Sequence, residues 1–129
     1  MGAGPANALL ASKFDLPHVL EYLHARDDIT DDEEPCVPWT AVADLYRSAT
    51  EVLSKALTGG GRRAWVGAHI RHTYPSGCSI YFTFAFRCLV DGEGRYDPVR
   101  ELAHYLAAKD AILNHFCAAG GAGSIVEAL

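Results

Sequence analysis

His69, Arg71, His72, Tyr81 and Thr83 are the residues of this chain whose types and spacing point to chemistry. They fall in the stretch Trp65 to Cys88, which reads as two strands around a tight turn. In the second strand Cys78, Ile80, Phe82, Phe84 and Phe86 share one face, and Ser79, Tyr81, Thr83 and Arg87 the other. That alternation is what a half-buried strand requires. The second face is polar without being charged throughout, which suits the lining of a site. Tyr81 is the candidate catalytic group: a cation such as Arg71 beside a phenol favours the phenolate, and so a readier proton exchange. A strand tyrosine that only packs its ring is the alternative. His69, Arg71 and His72 form a cationic cluster suited to a phosphate or carboxylate, or else an ordinary polar face.

The hairpin register follows from its pattern. For the apolar faces of both strands to coincide, Ile70 must lie opposite Ile80 and Ala68 opposite Phe82. His72 then lies opposite Cys78, which asks for a loop of odd length with Gly77 in a positive-φ position. His69 and His72 do not share a face in a regular strand, and spacing supplies no third ligand, so no metal site is expected. His18, His24, His104 and His115 fall in helical patterns, where surface or satisfied histidines are the default. Cys36, Cys78, Cys88 and Cys117 show no paired spacing. They suit a reducing compartment and read as small core residues without an activating partner.

Around the hairpin, Leu16 to Ala25 predicts a short helix capped by Asp15, with Pro17 in its first turn. Asp27 to Pro38 predicts a loop or edge strand whose acidic residues are solvated. Trp39 to Leu57 carries the stripe of an amphipathic helix, capped by Thr40 and stopped by Gly59-Gly60-Gly61. Asp97-Pro98 opens a second long helix. Gly120 to Gly123 stops it and lacks the Lys-Ser/Thr of a phosphate loop; Ser124-Ile125-Val126 predicts a last strand. Trp39 and Phe116 are expected in the core. The fold class expected is α+β, an antiparallel sheet with helices packed on one face, broadly ferredoxin-like.

At 129 residues with 50% hydrophobic content, the chain is expected to be one domain over residues 13–129 behind a flexible lead-in, 1–12. A net charge of −5 without a basic cluster argues against nucleic acid. No stretch approaches the ~18 to 20 apolar residues of a membrane span, and the first residues make a poor signal peptide, so the expectation is neither a membrane protein nor a secreted one.

The run His72-Thr73-Tyr74-Pro75-Ser76-Gly77-Cys78-Ser79-Ile80-Tyr81-Phe82-Thr83-Phe84-Ala85-Phe86 resembles the C-terminal domain of FAD-linked oxidases of the vanillyl-alcohol oxidase superfamily. Within it, Tyr74, Gly77, Tyr81, Phe82 and Phe84 match a Tyr-x-x-Gly-x-x-x-Tyr-Phe-x-Phe pattern closest to the alkylglycerone-phosphate synthase branch. Glu34 and Trp39 match that family's Glu-x-x-x-x-Trp element. The Gly-His-x-Gly-Asp-Gly-Asn run of the lactate and glycolate dehydrogenase branch is not found in the sequence.

The resemblance implies a substrate-side (cap) domain that exchanges an acyl for an alkyl chain on dihydroxyacetone phosphate, in ether-lipid synthesis. Tyr81 takes the place of the family's acid/base tyrosine, and Arg71, His69, His72 and Thr83 would meet the substrate. FAD belongs to the parent protein and none is expected on this chain alone. Its partners would be the FAD-binding domain of that parent and a lipid or small-molecule substrate, with a homodimer possible. The compartment implied is cytoplasmic or peroxisomal. The sequence shows no flavin-binding region and no histidine run after its Gly-Gly element, so the expectation is a fragment or a diverged copy, inactive by itself. The alternatives are a domain of an FAD-linked hydroxy-acid oxidase and a non-catalytic dimerising α+β module.

Overall fold

The computed structural model describes residues 4–12 and 16–119. Two short helices, α1 (Gly4–Ser12) and α2 (Leu16–His24), precede the strands β1 (Asp28–Glu33) and β2 (Cys36–Pro38). A single 3-10 turn, Trp39–Ala41, leads into α3 (Val42–Leu57). The hairpin β3 (Ala64–Tyr74) and β4 (Gly77–Arg87) follows, and then α4 (Pro98–Ala118).

β4 organises the sheet because both of its edges are used. β3 pairs antiparallel along one edge, from Ala64↔Phe86 to Tyr74↔Gly77. β1 and β2 share the other, from Asp28↔Arg87 to Glu33↔Phe82 and from Cys36↔Ser79 to Pro38↔Gly77. These two pairings continue one register, so Glu34 and Pro35 lie opposite Tyr81 and Ile80. Pro35 has no N–H for the ladder, which interrupts the strand there, although its carbonyl still accepts from the Ile80 amide at 3.0 Å. With β1 and β2 counted as one strand, the spatial order is first, third, second. That is the order expected of a ferredoxin-like sheet, and α3 and α4 lie on one face of it. The strand expected at Ser124-Ile125-Val126, the glycines of 120–123 and the Asp15 cap lie outside the described residues.

The apolar face of β4 is buried along its length, with Phe82 and Phe84 at 0% exposure. α3 covers it with Leu45, Ala49, Leu53 and Leu57, at the four-residue spacing that keeps side chains on one helical face. α4 adds Ala108, Ile112 and Phe116, and the Phe116 ring sits 5.8 Å from that of Phe82. α4 starts where the sequence places it: the Asp97 carboxylate accepts from the Val99 and Arg100 amides at 2.9 and 3.3 Å. α3 stops at Thr58 and the three glycines, where Gly60 and Gly61 take φ of 71° and 82°.

Several expectations are corrected. Thr40 does not cap α3; the chain enters through the 3-10 turn, and neither start carries a side-chain cap. Trp39 is 45% exposed, because its indole turns outward to donate to the Tyr74 carbonyl at 3.1 Å. Cys78 and Cys88 are buried, but Cys117 is exposed and Cys36 only half-buried. The acidic stretch of β1 is not simply solvated. Strand alternation sends Asp31 and Glu33 to the helix-covered side, where Lys109 of α4 binds Asp31 at 2.6 Å and also pairs with Glu33. Asp28 faces the other way and holds Arg87 by two bonds of 2.9 Å.

The hairpin register is as expected as far as Ile70↔Ile80, then slips. A β-bulge at Arg71 puts His72 opposite Ser79 and Thr73 opposite Cys78, leaving a two-residue loop, Pro75-Ser76, instead of an odd one. Gly77 is not a positive-φ residue. It is required for space: a Cβ there would lie 2.1 Å from the Val37 carbonyl oxygen.

Candidate functional site

The face of the sheet turned away from α3 and α4 carries the candidate residues in rows fixed by the register. One row is Glu34, Tyr81 and His69; the next is Asp32, Thr83 and Gly67. Trp65, His69 and Arg71 are exposed, and Tyr81 and Thr83 half-buried, so this face is open enough to meet another molecule. The Trp65 indole lies across Gly67, so close that a Cβ at Gly67 would sit 2.5 Å from it.

Two of the five predicted residues, Arg71 and His72, meet at one carboxylate, Glu34; Tyr81 lies opposite it in the register, His69 beyond Tyr81, and Thr83 one row further along. Arg71 donates through Nη1 to Glu34 Oε2 at 2.9 Å, and Ser79 Oγ donates to Glu34 Oε1 at 2.7 Å. The His72 Nε2 lies 3.9 Å from the same Oε1, and the His72 amide donates to Ser79 Oγ at 3.1 Å. The bulge makes this grouping possible. In a regular strand His72 would point away from His69 and Arg71; the extra residue turns it to the same side. The sequence reading separated His69 from His72, and the structure corrects that. Even so, no cluster of three metal-ligating side chains exists among the described residues.

Tyr81 lies beneath these cations. The Arg71 guanidinium carbon sits 4.9 Å from the centre of its ring, and the His69 ring 5.3 Å away, tilted by 46°. The sequence reading expected a tyrosine that ionises readily. Instead its pKa is pushed up to about 12. Burial is the largest cause, followed by the hydrogen bond and charge of Asp32; Arg71 pulls the other way without prevailing, and Glu34 adds to the rise. Tyr81 therefore keeps its proton and acts first as a donor.

Glu34 and Asp32 were not singled out as site residues. The signal for Glu34 was present in the Glu34…Trp39 spacing. Both residues tie the segment before α3 to the hairpin, Glu34 through Arg71 and Ser79, Trp39 through the Tyr74 carbonyl. For Asp32 the only signal was its parity in an acidic strand.

The chain matches the model of the FAD linked oxidases, C-terminal domain, over residues 5–121. It belongs to that family. Among curated proteins it is 31% identical over 84 residues to an alkyldihydroxyacetonephosphate synthase of Trypanosoma brucei brucei, covering 65% of this chain and 14% of that protein. It is 26% identical over 121 residues to the synthase of Dictyostelium discoideum, covering 94% and 18%. Among solved structures it superposes on alkyldihydroxyacetonephosphate synthase with a TM-score of 0.71 at 28% identity, over 86% of this chain and 19% of that one. A second crystal form gives 0.64 at 27%, over 84% and 18%. The chain thus spans less than a fifth of each of these relatives, and the family is a domain of larger FAD-linked proteins.

In a Rossmann fold a dinucleotide's pyrophosphate meets the amides of a glycine-rich turn between a strand and a helix. Gly59–Gly61 follows a helix and leads into a strand. No helix among the described residues is long and apolar enough to cross a membrane.

Proposed function

We propose that this chain is the substrate-side domain of a flavoprotein that replaces the acyl chain of an acyl-dihydroxyacetone phosphate with an alkyl chain; the name of its relatives, alkyldihydroxyacetonephosphate synthase, gives the alkyl product. The observation that carries this reading is Tyr81, protonated on an open sheet face beneath Arg71 and beside His69. A phenol with so high a pKa gives a hydrogen bond, or a proton, to an oxygen of the substrate. It takes a proton from the substrate carbon only as its own hydrogen passes to a neighbouring base, and Asp32 is the carboxylate acting on its hydroxyl. Arg71 supplies a charge and His69 and His72 ring donors that a phosphate can use, and Thr83 a hydroxyl in the adjoining row. A flavin, when held by the rest of the parent protein, supplies the reactive ring. Neither the hydroxy-acid oxidase nor the non-catalytic dimerising module is favoured by the relatives found.

The test uses the flavoprotein that carries this domain, supplied with an acyl-dihydroxyacetone phosphate and a long-chain fatty alcohol. Alkyl product is expected from the wild type. Tyr81→Phe should cost ~10²-fold or more in kcat with its flavin absorbance intact, in line with a lost acid/base group. Unchanged turnover in Tyr81→Phe, or no exchange of chains by the wild type, overturns the reading.

A further inference from the structure

The Arg71 guanidinium is anchored by a residue from a different strand segment. Glu34 sits where Pro35 interrupts the edge strand, opposite Tyr81 in the register. One of its oxygens holds Arg71 Nη1 at 2.9 Å, and the other receives Ser79 Oγ at 2.7 Å. The Glu34 side chain is 23% exposed against 50% for Arg71. The less exposed partner is therefore the anchor, and the more exposed one is what it holds. Arg71 itself stands on a bulge, the one place in β3 where the ladder does not fix the backbone. Without a tether its long side chain has many rotamers to explore.

We propose that Glu34 is a positioning residue that clamps Arg71 over the Tyr81 ring, so that the guanidinium presents its remaining donors to an anionic group arriving at the Tyr81 hydroxyl. This rests on the proposed function only for the identity of that anion; the clamp is a property of the domain. Ser79 fixes the Glu34 carboxylate from β4, and the same hydroxyl accepts from the His72 amide just past the bulge. The clamp and the bulge are therefore one hydrogen-bonded unit. His72, at 3.9 Å from Glu34, is the other titratable group facing the carboxylate, while Asp32 and His69 face Tyr81.

The first readout is NMR of this chain. In the wild type the Arg71 side-chain protons should be shifted upfield by the Tyr81 ring, and the shift should vanish in Tyr81→Leu. Glu34→Ala should abolish it and speed exchange of the Arg71 Nε proton with water at least tenfold. Glu34→Gln, which keeps the bulk and an acceptor for Ser79 but lacks the charge, should do so in part. Arg71 signals unmoved in both Glu34 variants, with the amide spectrum otherwise native, overturn the clamp.

The second readout is a double-mutant cycle on kcat/KM in the full flavoprotein. Glu34→Gln should lower it tenfold or more in the wild type and less than twofold in an Arg71→Met background, because Glu34 acts through Arg71. Equal losses in both backgrounds overturn the positioning role, since a merely destabilising change would be felt in both. A flavoprotein that exchanges no chains sinks the synthase reading and leaves the NMR outcome to decide the clamp.

Discussion

Arg62 and Glu101 form a buried two-pronged ion pair, Nε to Oε2 at 2.8 Å and Nη2 to Oε1 at 2.9 Å, with side chains 6% and 1% exposed. Arg62 precedes β3 and Glu101 lies in the first turn of α4, so the pair locks α4 to the start of the hairpin. The Gly59 carbonyl and Arg100 satisfy further atoms of the two groups. Removing one partner strands the other charge in a place that water does not reach. Glu101→Gln should cost ~3 kcal/mol or more in urea unfolding, whereas an apolar pair of similar volume, Arg62→Met with Glu101→Leu, should cost far less. A Glu101→Gln cost below ~1 kcal/mol would show that water reaches Arg62.

The same carboxylate sets the acid limit of the domain. Burial opposes its charge, but the Arg62 and then the Arg100 hydrogen bonds outweigh burial and leave the pKa below the ordinary 4.5. Asp31 behaves alike: burial is again overcome, by Lys109 and Tyr105, and its pKa falls below 3.8. A carboxylate with a depressed folded pKa stabilises fully above its unfolded value and loses that stabilisation as pH falls through the folded one. The Tm should therefore be nearly flat from about pH 7 to 5 and drop progressively below about 4.5. The drop should be shallower in Glu101→Gln, measured by circular dichroism against pH.

Two glycines of the hairpin should respond differently to the same methyl group. At Gly77 a Cβ meets backbone, 2.1 Å from the Val37 oxygen and 2.9 Å from Pro38 Cα, where β2 crosses close to β4. Gly77→Ala should cost ~2 kcal/mol or more, since the strands must move apart. At Gly67 the obstacle is only the Trp65 ring edge, and Trp65 is 60% exposed and can swing outward. Gly67→Ala should cost less than ~1 kcal/mol, as surface changes do, while the Trp65 fluorescence shifts to the red. Equal costs at the two positions would refute the assignment of backbone at one and side chain at the other.

The parts of this domain legible in the sequence were those governed by period and punctuation. The alternation from Cys78 to Phe86 gave β4 and its buried face, the four-residue recurrences gave α3, and Asp97-Pro98 gave the start of α4. What stayed hidden depends on contacts between distant segments. A bulge is one residue without partners, and nothing in His-Ile-Arg-His marks which residue that is. The acidic run of β1 looks like a solvated loop until Lys109, brought in by α4, meets Asp31 and Glu33. Tyr81 stands out by its place in the strand, but the direction of its pKa depends on burial and then on Asp32, which only strand pairing sets near it.

The bulge itself makes a prediction that the regular ladder would not. Deleting one residue from a paired strand normally turns every following side chain to the opposite face. Arg71 is the extra residue between Ile70↔Ile80 and His72↔Ser79, so its deletion joins two registers that already agree in which side chains point inward. His72 would take its slot on the same face, Thr73 would still meet Cys78, and the Pro75-Ser76 loop would be untouched. The interactions lost are the half-exposed pair with Glu34 and the contact over Tyr81, together worth about 1 kcal/mol. Deletion of Arg71 should therefore lower the Tm by only about 6 °C or less and leave the amide spectrum of β4 native. Deletion of His69, two residues earlier in the regular ladder, should send Ile70 to the polar face and cost more than ~3 kcal/mol. Thermal melts of the two deletions decide the matter, and a Δ71 domain as damaged as Δ69 would mean that the slip at Arg71 is no true bulge.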